Sequence, residues 1–542
     1  MTERTPLSPT RPLTPMHWAR WGDPAQAGPL PEGARGLVEL AFGPAREQET
    51  VPLEQVTLPE SGLGVDLLDG LASLVGSEHV LTDAESRVRH TRGKSTPDLL
   101  RMRHGDASDA PDAVVLPADH AQVLAVLTWA GEHRVAVVPF GGGTSVVGGL
   151  AARRDGYAGV VALDLARLDR LVEVDAESGT AALEAGLLGP QAEALLSEHG
   201  LTLGHFPQSF EYASIGGFAA TRSSGQASSG YGRFDAVVVG LRVATPLGTL
   251  DLGSAPANAA GPDLRELVLG SEGAFGVITS VRVRVRPVPP VRVYETWRLD
   301  SFAAGTAALR DLAQSGLSPT VLRLSDENET AINLAKPDEV GAGGDTGGCL
   351  MVTGYEGTAD QVRARQAAVT ARLEELGARC LGEEGGAAWE RGRFHGPYLR
   401  DSLLDVGVLV ETLETATFWS NLPRLYDAVR TALTEALSGP DGSGSPLVLC
   451  HVSHVYETGA SLYFTVATAQ QGDGLEQWAG AKAAASDAML DAGATITHHH
   501  AVGRDHKPWL AREVGPVGVE ILRAVKARLD PHGVLNPGIL IP

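Results

Sequence analysis

The sequence predicts an α+β protein of more than one domain, and three observations carry that expectation. A chain of 542 residues, 43% of them hydrophobic, exceeds what a single core usually organises. The stretch "GVVALDLARLDRLVEVDAESGTAALEAG" alternates short apolar runs with acidic or glycine turns, the pattern of strands in a mixed sheet. Three glycine clusters, at Gly141–Gly143, at Gly216 and Gly217, and in "LGSEGAFGVIT" from Leu269, each adjoin such a strand.

Gross properties narrow the class. A net charge of −22 argues against nucleic acid or an anionic surface as partner, while a local basic pocket for a phosphorylated small molecule stays compatible with it. Three scattered cysteines, Cys349, Cys380 and Cys450, suit neither a disulfide framework nor a zinc ribbon and fit a reducing compartment. The opening "MTERTPLSPTRPLTP" lacks a signal-peptide core and reads as a loose tail. Apolar stretches of membrane-spanning length do not occur. "VGAGGDTGG" (Val340–Gly348) and "SGPDGSGSP" (Ser438–Pro446) read as exposed loops, and no internal repeat is visible.

The first glycine cluster lies in "VAVVPFGGGTSVVGGL", Val135–Leu150. An apolar strand meets Pro139 and then three glycines, whose free N–H groups form a nest for an anion. A dinucleotide fingerprint fails because Val146 stands where the third glycine belongs, and Gly148 and Gly149 interrupt the helix that should follow. A Walker A loop fails for want of Gly-Lys-Ser/Thr. A phosphate cradle in another fold and a plain tight turn both remain. The second cluster lies in a segment, His205–Leu250, where small residues dominate from Ser214 to Gly230, so the backbone approaches something large and flat. The third leads into a strand with valines on one face and arginines on the other. Together the loops either wrap one elongated cofactor or are three ordinary turns.

The motifs "PFGGGTSVVGG", "ASIGGFAATRSSGQASSGYGRFDAVVVGLRVATPLG" and "LGSEGAFGVIT", in this order across Pro111–Pro287, resemble the FAD domain of the vanillyl-alcohol oxidase/p-cresol methylhydroxylase superfamily. The resemblance implies a two-subdomain FAD-binding domain of the vanillyl-alcohol oxidase type, an antiparallel-sheet cap domain and a C-terminal helical return. It also implies a set of cofactor-binding residues. These are Pro139, Gly141, Gly142, Gly143, Thr144 and Ser145 around the pyrophosphate; Pro207, Ser209, Ser214, Gly216, Gly217, Thr221, Arg222, Gly225, Gly230, Tyr231 and Gly232 along the flavin; and Glu272, Gly273, Gly276, Val277 and Ile278 near the adenine half. Neither histidine nor cysteine stands among Gly141–Ser145, so FAD is expected to bind noncovalently.

Further segments, "MHWARWG", "HTRGKSTPDLLRMRHGDASDAPDAVVLP", "GPYLRDSLLDVGVLVETLETATFW" and "THHHAVGRDHKPWL", resemble the alkyldihydroxyacetonephosphate synthase family. That family uses FAD without net oxidation to replace the acyl chain of acyl-dihydroxyacetone phosphate by a fatty alcohol, leaving an ether. By the resemblance, Tyr463 handles the proton on the departing carboxylate, and His498, His499 and His500 serve in proton abstraction and orientation. Arg323 and Arg400 hold a phosphate or carboxylate. Blander readings also stand: a solvated histidine loop, a core strand tyrosine, and arginines paired with Asp326 and Asp401.

Departures from that pattern open alternatives. "LDPHGVLNPGIL" resembles flavin-dependent 2-hydroxyacid dehydrogenases, and "CHVSHVYETG" brings His451 and His454. An oxidase or dehydrogenase of D-lactate, glycolate or 2-hydroxyglutarate is therefore the second reading, and a flavoprotein that binds without turnover the third. No metal is expected, because the carboxylate that would accompany His454 and the histidine run is missing from the sequence pattern. The expected layout is an N-terminal tail and helical region over 1–79, the FAD domain over 80–288, the cap over 289–475 and the return with the histidines over 476–542. A lipid or other small-molecule substrate, a homodimer, a cytoplasmic location with peripheral membrane contact and no nucleic-acid partner complete the expectation. A long apolar passage would favour the synthase; a small closed polar pocket would favour the hydroxy acid.

Overall fold

The computed structural model describes residues 14–542 apart from 31, 152, 333–346 and 440–443. The proline-rich tail up to residue 13, most of the Val340–Gly348 loop and the centre of the Ser438–Pro446 loop lie outside the described residues.

The apolar run before the first glycine cluster forms the strand Val135–Phe140 at one end of a four-stranded sheet. It pairs in parallel with Gly159–Asp164, which pairs in parallel with Ala113–Val115. Val80–Leu81 closes the other end antiparallel. These strands are apolar almost throughout because both faces are buried, as in parallel sheets generally. The outer edge of Val135–Phe140 does not stay open. The Val137 amide donates to the Val534 carbonyl at 2.8 Å, and the Asn536 amide donates to Val137 at 2.8 Å, so the C-terminus covers the edge.

A second sheet is antiparallel and five-stranded, in the order Leu171–Asp175, Thr180–Glu184, Val277–Arg284, Val238–Thr245, Gly248–Leu252. Its central strand carries the valine–arginine alternation: Val281 and Val283 are buried while Arg284 is exposed. One core joins both sheets through Val137, Val161, Leu163, Leu183, Val243 and Val281.

The remaining strands build a seven-stranded antiparallel sheet, in the order Arg379–Gly382, Val291–Leu299, Cys349–Gly357, Val321–Ser325, Leu447–Val452, Gly459–Ala469, Val408–Phe418. One face packs against helices that include Phe302–Gln314, Ala359–Glu375, Leu422–Leu437 and Gly474–Asp491. The period of two does the sorting. Along Gly459–Ala469, Leu462, Phe464 and Val466 enter that core, while Tyr463, Thr465 and Ala467 line a cavity on the other face. An antiparallel cap beside two flavin-side sheets is the fold class that the sequence predicts.

The C-terminal return crosses from one part to the other. Helix Gly474–Asp491 leads to the histidine run, and helix Lys507–Leu529 follows, interrupted at Gly515, whose φ of 73° precedes Pro516. The return then delivers Asn536, whose buried Nδ2 donates to the carbonyls of Glu272, at 2.7 Å, and Gly149, at 3.2 Å. It thereby clasps the first and third glycine loops together. Asn536→Ala should strand both carbonyls and cost roughly 1–3 kcal/mol, read as a lower thermal midpoint of the apoprotein. An unchanged midpoint would show that the clasp contributes nothing.

Candidate active site

A cavity of about 550 Å³ lies between the glycine loops and the exposed face of the seven-stranded sheet. Its floor is backbone. A Cβ on Gly142 would stand 1.5 Å from the Tyr212 carbonyl oxygen, and one on Gly141 would stand 2.2 Å from Ser214 Oγ. Gly143 has φ of 69°, a conformation that only glycine adopts without strain. Ser214 caps the following helix by accepting the Gly217 amide at 3.1 Å, which fixes the second loop beside the first.

The structure brings most of the expected cofactor residues to this cavity: Pro139, Gly141 to Ser145, Pro207, Ser209, Ser214, Gly216, Gly217, Thr221, Glu272, Gly273, Gly276, Val277 and Ile278. Five others do not line it, and each has a packing task instead. Arg222 turns back to brace the third loop, donating to the carbonyls of Leu269 at 3.0 Å and Glu266 at 2.8 Å. Gly225 admits the Phe206 amide, and Gly230 lets the Thr320 backbone approach, since a Cβ would meet them at 2.8 and 2.7 Å. Tyr231 donates to Glu356 at 2.6 Å and lies under the Arg286 guanidinium. Gly232, with φ of 88°, ends the helix Ser228–Tyr231. Sequence reasoning missed Val146, Gly149, Ser223, Ser224 and Asn536, all of which line the cavity.

The opposite wall carries the titratable groups. Tyr463, His499, His500, Arg323 and Arg400 line it, together with His451 and His454. The histidine run is buried, not solvated, and Glu414 is the reason. This carboxylate, whose side chain has no solvent exposure, accepts the amides of His498 (2.7 Å), His499 (3.0 Å) and His500 (2.9 Å) and the Thr497 hydroxyl (2.6 Å). Burial opposes its ionisation, yet the His499 imidazole and its neighbours hold it well below the usual carboxylate range. Glu414 is also the cross-strand partner of Tyr463, which places the run over the tyrosine. His498 does not line the cavity. Its Nε2 meets the Tyr456 hydroxyl at 2.6 Å and its Nδ1 meets His499 Nδ1 at 2.9 Å.

Burial lowers the proton affinity of His498, of His454 and of His500, the last to about 3, and raises the Tyr463 phenol to about 12. At neutral pH these three imidazoles are therefore uncharged and the phenol keeps its proton. His454, His498 and His499 have ligand atoms within 4.8 Å of one another, and Glu414 supplies beside them the carboxylate that sequence reasoning did not find. Both ring nitrogens of His498 are nevertheless engaged, and His454 Nδ1 lies 2.6 Å from Ser228 Oγ.

Arg400 has one amino nitrogen 3.9 Å from Asp401 Oδ1, the pairing weighed from the sequence, whereas Arg323 departs from its expected partner. Arg323 pairs with Glu329 at 2.5 Å, not with Asp326, which instead accepts the Tyr426 hydroxyl at 2.9 Å. Arg400 donates one amino group to the Lys94 carbonyl at 2.7 Å. Its Nε and other amino group, like the Nε of Arg323, have no hydrogen-bond partner among the described residues. Buried donors of this kind call for an anion.

Two family models match the chain: "FAD binding domain" over residues 111–252 and "FAD linked oxidases, C-terminal domain" over 288–540. The chain thus binds FAD, and the cavity fits it. A Cβ on Gly141, Gly142 or Gly143 would meet Ser214, the Tyr212 carbonyl or Phe140, so the loop borders the cavity as bare backbone, a form that can receive a diphosphate with no basic side chain. Gly142→Val should abolish flavin retention with the fold largely kept; a yellow, fully occupied variant would place the pyrophosphate elsewhere. Burial raises the Glu272 carboxyl, on the same wall, to about 7. Below that pH it is neutral; above that pH it carries a negative charge beside Gly149 at the end of the first loop, the loop assigned from the sequence to the pyrophosphate. FAD affinity, followed by flavin fluorescence, should therefore fall as pH rises through about 7, and Glu272→Gln should flatten the profile. Identical profiles would remove Glu272 from the diphosphate's surroundings.

The alkyldihydroxyacetonephosphate synthase of Trypanosoma brucei brucei is 33% identical over 507 residues, covering 90% of this chain and 82% of that protein. A solved alkyldihydroxyacetonephosphate synthase structure superposes with a TM-score of 0.84 at 28% identity, covering 97% of this chain and 99% of that one. p-Cresol methylhydroxylase, at 17% identity, shares the fold with a TM-score of 0.67, covering 87% of this chain and 95% of that one. By identity over most of its length, the chain belongs to the alkyldihydroxyacetonephosphate synthase family, within the fold of the FAD-linked oxidases.

Proposed function

We propose that this protein is an FAD-dependent alkyldihydroxyacetonephosphate synthase, exchanging the acyl chain of acyl-dihydroxyacetone phosphate for a fatty alcohol and so making an ether-lipid precursor. The observation that carries the reading is the apolar half of the cavity. From Tyr463 the wall passes along one strand to Thr465 and Ala467, and along the next from Thr412 to Val410. Leu399, Leu403 and Leu447 continue it, and the helix Glu32–Phe42 closes it with Leu37, Val38, Ala41 and Phe42. A graded polar-to-apolar passage suits an aliphatic chain attached to a polar head. A 2-hydroxy acid would call for a small, closed and polar pocket.

The exchange releases one proton, because an alcohol and an ester become an ether and a carboxylate. FAD, when bound, supplies a ring nitrogen whose nucleophilicity follows its redox state, with no net electron transfer. The chain's own groups do the rest. The unpartnered donors of Arg400 and Arg323 bind the phosphate or the nascent carboxylate. Tyr463, kept protonated by burial, donates to the departing carboxylate oxygen, and the histidine run, held by Glu414, takes a proton from the dihydroxyacetone carbon. That carbon-bound proton is returned once the alcohol has added, so the net release stays at the one proton from the alcohol.

In this reading residues 80–288 hold the flavin, 289–475 the substrate, and 476–542 bring the histidines back. No described helix is long and apolar enough to cross a membrane. Leu40, 85% exposed on the helix that closes the passage, supports peripheral contact with the membrane that stores the substrates. The exposed Val514, Val517 and Ile521 support a homodimer, and the three cysteines a reducing cytoplasm.

Feeding the holoenzyme acyl-dihydroxyacetone phosphate and labelled fatty alcohol should give labelled ether without oxygen consumption. Tyr463→Phe removes one hydroxyl and little volume, so FAD binding should persist while turnover falls about a hundredfold. A wild type that instead bleaches its flavin with lactate, glycolate or 2-hydroxyglutarate would sink the synthase and promote the dehydrogenase.

A further inference from the structure

The proton released by ether formation needs an acceptor near the incoming alcohol, and in the reading above the histidine run already serves the dihydroxyacetone carbon. His498 spends both ring nitrogens within the protein. His451, from the "CHVSH" segment that departs from the synthase pattern, is arranged differently. It lies on the strand Leu447–Val452, directly opposite Tyr463, with the two rings stacked at 4.8 Å between centroids.

His451 Nδ1 lies 2.9 Å from Glu329 Oε2. The Glu329 side chain has no solvent exposure, and its other oxygen accepts Arg323 at 2.5 Å and Ser325 Oγ at 2.9 Å. Burial opposes the charge on Glu329, but His451 and Arg323 bring its pKa to about 2, so it is an anion at any working pH. A carboxylate at Nδ1 requires that nitrogen to carry the hydrogen. The Arg323 amino group carries two hydrogens: one goes to Glu329, and the nitrogen also lies 3.1 Å from the same Nδ1, a longer contact than the 2.9 Å to the carboxylate, so the carboxylate sets the tautomer. This tautomer leaves a lone pair on Nε2, which has no hydrogen-bond partner among the described residues, on a ring that forms part of the cavity wall.

We propose that His451 Nε2 accepts the hydroxyl proton of the incoming fatty alcohol, with Glu329 as the positioning residue that fixes the tautomer and stabilises the imidazolium. The inference rests on the synthase reading. In the step, the alcohol O–H bond breaks and the ether C–O bond forms. The ester C–O bond breaks, and its electron pair leaves with the carboxylate. The proton stays on Nε2 until it passes to solvent, and nothing is oxidised or reduced. The charged and titratable groups around the ring are Arg323 and Glu329 on one side, Tyr463 on the next strand, and His454 and His499 on the same wall. Burial and Arg323 lower the proton affinity of His451 and Glu329 restores part of it, so the ring is neutral and able to accept at pH 7.

The test uses holoenzyme with acyl-dihydroxyacetone phosphate and labelled fatty alcohol, measuring ether formation across pH and flavin occupancy by absorbance. His451→Gln should keep flavin and the alcohol KM within a few-fold while kcat falls about a hundredfold or more. Glu329→Gln should move the acidic limb of the kcat/KM profile to lower pH, because losing the anion lowers the proton affinity of the imidazole. A merely structural role for Glu329 would reduce the rate with the limb in place. Ether formation by His451→Gln at more than about a tenth of the wild-type rate, or an unmoved limb in Glu329→Gln, overturns the proposal and leaves the synthase standing. Should His451→Gln fail to retain flavin, the limb of Glu329→Gln decides alone. A wild type that forms no ether overturns both.

Discussion

A single buried carboxylate organises the chemical end of this protein. Among the described residues Glu414 forms no ion pair with a lysine or arginine, and its charge is met by three consecutive backbone amides, one hydroxyl and the imidazoles of the same three residues. A buried carboxylate is tolerated only when it is hydrogen-bonded to saturation, and removing its partners leaves a cost of several kcal/mol. The chain after helix Gly474–Asp491 is therefore bound to thread over the strand Val408–Phe418 in one register. That register sets the histidines against Tyr463, because Glu414 and Tyr463 face each other across neighbouring strands. The backbone amides fix the path of the run, and the ring nitrogens, His499 Nδ1 nearest at 3.4 Å, surround the same carboxylate.

The same economy governs the flavin end. The glycine loops have no side chains of their own to hold them in shape, so they are held from outside. Ser214 fixes the second loop, Arg222 braces the third from behind, and Asn536 ties the third to the first through two carbonyls. The residue farthest along the chain thus completes a cradle begun near residue 140. The C-terminal segment also seals the edge of the strand that leads into that cradle. Flavin site and histidine run are consequently set by one continuous segment, which is tied to the cap sheet at Glu414 and to the flavin sheets at Asn536.

Much of this was legible in the sequence, for reasons that can be stated locally. Glycine clusters next to apolar strands mark places where backbone must approach a ligand, and Gly141 to Gly143 do so. The alternation in "VITSVRVR" marks a strand with one wet face, and Val281 and Arg284 take the two faces. What was not legible is what depends on distant pairing. Nothing around Glu414 announces that its partner lies 84 residues on, and nothing in "VLRLSD" shows that Arg323 skips Asp326 for Glu329, one turn further. Arg222, Gly225, Gly230, Tyr231 and Gly232 share the motif with true cavity residues, yet they face its packing side. A motif read as a string cannot separate the two sides of its own backbone. The histidine run reads as a solvated loop for the same reason, since its burial is decided by a carboxylate on another element.

The two buried carboxylates divide the site in a way that the net reaction asks for. Glu414 meets the histidine run chiefly through backbone amides, with the His499 ring nitrogen farther off at 3.4 Å, and so fixes the position of the run. Glu329 meets His451 through the ring itself, and so dictates the tautomer. One arrangement suits groups that must orient a substrate; the other suits a group that must be ready to take a proton. Both lie at the polar end of a cavity whose other end is aliphatic, so that a proton released there is first taken up by a side chain and only then passes to solvent. Under that condition an exchange of two oxygen substituents needs a built-in acceptor as much as it needs a leaving-group donor. The stacked pair of Tyr463 and His451, one kept protonated by burial and the other kept neutral, places a donor and an acceptor within one ring-stacking distance of each other.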